Sequence, residues 1–215
     1  MRLNYRTSNV NIPIKMPTED TYKTISQPAE GIYTEKRSKF LAFAHPVRTL
    51  DEIKDIVKDY QKKYYDARHV CYAYMLGPER TDFRANDNGE PSGTAGKPIL
   101  GQINSNMLTD ILVIVVRYFG GIKLGTSGLI QAYKQATIEA LSAADVIEKT
   151  VDADISFTFE YPFMNDVMRI VKEEEPQIVT QGYDTDCTMT LRQRLSLMPR
   201  LKAKLEKVET LRFED

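Results

Sequence analysis

A chain of 215 residues, 42% hydrophobic and 27% charged, is long enough for one or two domains with a sizeable core. Its formal net charge of -1 argues against a nucleic-acid coat or a polybasic membrane binder that works through bulk charge. No apolar run reaches membrane-spanning length and the first residues lack an export signal's apolar stretch, so the sequence reads as cytoplasmic, with no membrane partner.

Residues 1–20 are polar, hold two prolines and read as a disordered tail. Ordered patterning begins after Tyr22, which leaves Met16 as an alternative start. Ile32–Arg37 and Phe40–Val47 read as two β segments. Thr49 followed by Asp51 and Glu52 opens a helix, and Leu50, Ile53, Ile56, Val57 and Tyr60 recur at helical spacing. Arg68–Leu76 is a third strand, with His69, Cys71, Ala73 and Met75 on one face and Val70, Tyr72 and Tyr74 on the other. Gly77–Asn88 reads as polar loop or hairpin, and Pro91–Thr94 as the entrance to a short helix through Ile103. The β-branched run Ile111–Val116 makes a fully buried strand, followed by a long helix on Leu129, Ile130, Tyr133, Ala136, Ala140 and Leu141.

A second unit begins near Thr150. Ala153, Ile155, Phe157 and Phe159 alternate as a strand, and Phe163, Val167, Met168 and Val171 form a helical stripe. Strands Gln177–Tyr183 and Cys187–Leu191, a helix from Met198 and a short strand at Glu209–Phe213 complete a β-α-β-β-α-β order, the ferredoxin-like pattern. The fold class is therefore α+β, with a tail at 1–20 and units at 21–148 and 150–215. Basic residues are in excess before Thr150 and acidic residues after it.

Cys71 and Cys187 fit no metal or redox spacing and read as buried thiols of a reducing compartment. With His45 and His69 the only histidines, neither a metal site nor a cofactor is expected.

Eight of the eleven glycines lie between Gly89 and Gly128, seven of them in two blocks that flank the buried strand. Neither block is a Walker loop: Pro91 stands where the first glycine is required and Pro98 where a hydroxyl residue is. Neither presents a dinucleotide fingerprint. What remains is two helix starts, at Ser92, Gly93 and Thr94 and at Gly125 and Thr126, whose backbone N–H groups suit an anion. Arg84, Lys97, Arg117 and Lys123 would add cations, and Tyr118 is the candidate stacking aromatic. The alternative from residue chemistry is a small-molecule hydrolase using Asp87, Glu90 and His69, with Ser92 as nucleophile. The blander option is that the glycines serve tight turns and close packing.

His69–Tyr74, Asn86–Pro98 and Arg117–Gly125, with Ser38-Lys39-Phe40 near the start, resemble the signature of the IMPACT/YigZ family in its bacterial two-domain form. The resemblance spans roughly residues 22–145, with Asn88 where an acidic residue is usual and Ser127 where a glycine is usual. It implies an N-terminal domain like a small-subunit ribosomal protein and domain IV of elongation factor G, then a ferredoxin-like domain similar to domain V of that factor. Eukaryotic members limit phosphorylation of an initiation factor by competing for the activator of a general-control kinase. Their extra RWD domain has no counterpart expected before residue 22, so that role does not transfer whole. The family offers no established catalytic residues. The expectation is a non-enzymatic, monomeric translation-associated protein that contacts RNA, the ribosome or a translation-control protein through its glycine-rich edge.

Overall fold

The computed structural model describes residues 20–214, so the expected tail, Asp20 excepted, and the alternative start at Met16 lie outside the described residues. In chain order the first elements are β1 (Thr21–Ile25), β2 (Ala29–Glu35), β3 (Ser38–Pro46), α1 (Leu50–Lys63), β4 (His69–Leu76) and β5 (Asp82–Asn86). They continue with α2 (Gly96–Ser105), β6 (Ile111–Tyr118), α3 (Gly125–Ser142) and β7 (Val146–Thr150). The fold is α+β, as the sequence predicts.

Five strands form one antiparallel sheet in the order β2-β3-β6-β4-β5. β6 is central because both of its faces are apolar, and Ile111–Val116 are all fully buried. Alternation along β6 sends Ile111, Val113 and Val115 toward α2 and α3, and Leu112, Ile114 and Val116 toward α1. α1 begins with the expected hydroxyl cap: the Glu52 amide donates to Thr49 Oγ1 while the Glu52 carboxylate accepts from the Thr49 amide.

Two strands, β1 and β7, were not legible as such, and the segment read as loop or hairpin is a hairpin, with β5 antiparallel to β4. β5 is an edge strand with most of its residues exposed, so it carries no apolar alternation. β1 and β7 pair with each other, Thr21 opposite Thr150 and Ile25 opposite Val146, and β1 adds a single parallel bridge from Lys23 to Leu108.

The remaining elements are β8 (Asp152–Phe159), a 3-10 turn at Tyr161–Phe163, α4 (Met164–Glu174), β9 (Gln177–Tyr183), β10 (Cys187–Arg194), α5 (Met198–Leu205) and β11 (Arg212–Phe213). Their sheet order, β11-β8-β10-β9, is ferredoxin-like. α4 and α5 seal one face through Val167, Ile170, Leu201 and Leu205 on Phe157, Phe159, Met189 and Leu191. Asp20 ties the start of β1 to this second sheet: its carboxylate accepts from Arg194 Nε and Nη2, both at 2.6 Å, and from the Ser196 amide. The Arg194 guanidinium and the Ser196 donors hold the Asp20 carboxyl far below the usual range.

Candidate functional site

The two glycine blocks lie side by side. Gly89, Glu90 and Pro91 from the first and Phe119, Lys123, Leu124, Gly125 and Thr126 from the second line one cleft of about 460 Å³, closed by Arg68, His69, Arg117 and Leu129. Each block folds for a different reason.

In the first block Asp87 turns inward and its carboxylate accepts three backbone N–H bonds. Oδ2 takes the Gly93 amide at 2.8 Å, and Oδ1 takes Ala95 at 3.0 Å and Gly96 at 2.8 Å. Burial alone would raise this carboxyl, but the three amides, helped by Lys97, outweigh it and hold it below its ordinary range. Two expectations fail here. The Gly93 amide is not free for a ligand, and the Thr94 amide bonds the Pro91 carbonyl at 3.1 Å. α2 accordingly starts at Gly96 instead of at Pro91–Thr94, because residues 91–95 wrap around Asp87.

The second block has no carboxylate. Gly120 packs directly on the Arg37–Ser38 turn, where a Cβ would overlap backbone atoms of both residues. Gly125 takes φ +73° with open space where its Cβ would be, and turns the chain into α3. α3 has no side-chain cap, so the N–H groups of its first turn face the cleft end without a protein acceptor among the described residues.

The floor of the cleft is a buried polar network. Glu90 Oε1 accepts from Arg117 Nη1 at 2.6 Å and from the Tyr133 hydroxyl at 2.9 Å, with His69 Nε2 3.9 Å away. His69 Nδ1 lies 2.9 Å from the Asn88 carbonyl; this contact requires the proton on Nδ1. The Arg117 guanidinium sits between the rings of Phe40 and Phe119, 5.5 and 5.6 Å from their centroids. Arg117 is 6% exposed, and its Nε is buried with no partner among the described residues. Cys71 bonds the Asp87 carbonyl at 2.9 Å, and burial pushes its thiol up to about 12, so it is no nucleophile at neutral pH.

Of the predicted anion-site residues, Arg117, Lys123, Gly125 and Thr126 share the cleft. Ser92, Gly93, Thr94 and Lys97 are not among the residues that line it, and Arg84 lies exposed on the β5 edge. Tyr118 points the other way, toward the α1 side of the sheet, and its hydroxyl donates to Asp66, just past the end of α1, at 2.9 Å. Period-two alternation from Arg117 selects Phe119, not Tyr118, as the cleft's aromatic. Arg68, Phe119, Leu124 and Leu129 were missed, and only Phe119 left that signal. Of the hydrolase alternative, His69 and Glu90 share the cleft, whereas the Asp87 carboxylate is occupied by the loop amides and Ser92 is not on the wall. Among the described residues no group of three His, Cys, Asp or Glu could hold a metal ion, and no helix is long and apolar enough to cross a membrane.

Residues 36–141 match the Impact N-terminal domain family. IMPACT family member YvyE of Bacillus subtilis is 33% identical over 155 residues, covering 72% of this chain and 71% of that protein. IMPACT family member YigZ of Escherichia coli is 30% identical over 158 residues, covering 73% of this chain and 78% of that protein. A crystal structure of a hypothetical protein superposes with a TM-score of 0.71 at 26% identity, over 90% of this chain and 96% of that one.

Proposed function

The chain belongs to the IMPACT family, and from that premise we propose that it is a translation-associated regulatory or binding protein, non-enzymatic and cytoplasmic, whose contact surface is the cleft between the two glycine loops. Its partner is RNA, presented free or on the ribosome. Residues 21–148 form the unit that carries this surface, and the acidic unit at 150–215 orients it. The observation that carries this reading is the convergence on one cleft of Arg68, Lys123 and the uncapped start of α3.

Arg117 does not add bulk charge there, because Glu90 neutralises it. The exposed cations Arg68 and Lys123 and the helix dipole supply the attraction for phosphate. Replacing both with glutamate (Arg68→Glu with Lys123→Glu) is expected to weaken co-sedimentation with ribosomes and to flatten its fall with added salt, since fewer counterions are released. A double variant that sediments like the parent at every salt concentration overturns the placement of the surface.

A further inference from the structure

The geometry points to a nucleotide site inside this cleft, one that takes a single nucleoside bearing a terminal phosphate. The inference rests on reading the cleft as the contact surface and adds what fills it. Three features divide the cleft. At one end, the uncapped α3 start and Lys123 offer donors to a phosphate, and Gly125 bends the backbone so that no side chain stands before the first turn. On the wall, Phe119 is 46% exposed, backed by the Arg117 guanidinium and continued by Leu124, Leu129 and Pro91. An exposed ring with apolar neighbours suits the face of a base. On the floor, Glu90 offers a carboxylate acceptor, and His69 presents Nε2 with its Nδ1 fixed by the Asn88 carbonyl.

Arg117 is the independent sign that something is missing. It is more than nine-tenths buried and lines the cleft, yet Nη1 is its one nitrogen bonded to a protein group among the described residues. A buried guanidinium nitrogen without an acceptor, here Nε, is costly unless a ligand or water completes it. The volume of about 460 Å³ lies within the roughly 300–1,000 Å³ usual for small-molecule sites. A phosphate-bearing nucleoside uses all three features, whereas inorganic phosphate leaves the ring and the floor unused.

Adenosine 5′-monophosphate, adenosine and inorganic phosphate are the probes, titrated by calorimetry and by amide and arginine Nε–H NMR shifts. The monophosphate is expected to bind at least tenfold more tightly than either fragment, moving the signals of Thr126, Ser127 and Arg117 Nε. Phe119→Ala should weaken it about tenfold. Thr126→Pro removes one donor at a helix position that tolerates proline, and should weaken it without loss of fold. Two further arms identify the source. A 5′-phosphorylated oligoadenylate that competes, while its 5′-hydroxyl twin does not, assigns the site to an RNA end; failure of both to compete assigns it to the free nucleotide. Equal binding of adenosine and its monophosphate, binding of inorganic phosphate as tight as the monophosphate, or no shift at Thr126 and Arg117 overturns the proposal. Each of those results leaves ribosome co-sedimentation to be judged separately.

Discussion

The Asp87 loop and the Gly125 loop share a composition and differ in outcome. Both are glycine-rich, both lead into a helix, and both border the same cleft. One contains a carboxylate that reaches the amides of its own helix start, so the first loop is closed upon itself. The other contains none, and its helix start stays uncapped. A glycine-rich turn before a helix therefore leaves its amides open to an outside anion only when the chain does not supply a carboxylate of its own.

The sharpest way to break the comparison is Asp87→Ala. It strands three amides that now donate to a charged acceptor, and should destabilise the fold by about 4 kcal/mol, read by chemical denaturation. The acid dependence follows in sign. Because the folded carboxyl lies below its unfolded value of about 3.9, its contribution is complete above that pH and is lost as pH falls below it toward the folded value. Asp87→Asn should remove this part of the acid sensitivity; an unchanged acid profile would count against the inward role of Asp87.

Next in size is Gly120→Ala. The added methyl meets the backbone of Arg37 and Ser38, which cannot rotate away, and the cost should be about 3 kcal/mol in the same assay. Gly125→Ala meets open space, so only the positive φ is penalised, by about 1–2 kcal/mol. A Gly125→Ala variant costing as much as Gly120→Ala would mean that the Gly125 turn is as tightly packed as the Gly120 contact within the same loop. Smallest is Lys123→Glu, exposed and without an ion pair among the described residues: stability should stay within about 0.5 kcal/mol while ribosome co-sedimentation falls.

Elements whose apolar pattern faces a core were legible from sequence: α1 through Thr49, Ile53 and Val57, β6 through Ile111–Val116, and the strand order after Thr150 through Phe157, Met189 and Leu201. β1 and β7 were not, because their pairing is fixed by distant backbone and leaves little trace in hydrophobicity. A contact surface on one glycine-rich edge requires the two blocks to converge, and in the structure both line one cleft. Which amides stay open was not legible. That depends on the direction of one side chain, Asp87, and a turn-forming aspartate looks the same in sequence whether it faces solvent or its own helix. Arg68 left no pattern at all, since it stands at the end of a loop and reaches the cleft only after β4 and β6 pair.

The pairing of β1 with β7 bears on how the nascent chain acquires its shape. The strand pairing of the central sheet uses no residue beyond Tyr118 and its α3 cover none beyond Ser142, so β2 to α3 can assemble while the C-terminal third is still being made. β1 leaves the ribosome before all of them, yet it finds its partner only once Thr150 has emerged, and Asp20 must wait longer still, for Arg194. The first of the described strands is thus among the last to dock, and during that interval β1 stays open to chaperones.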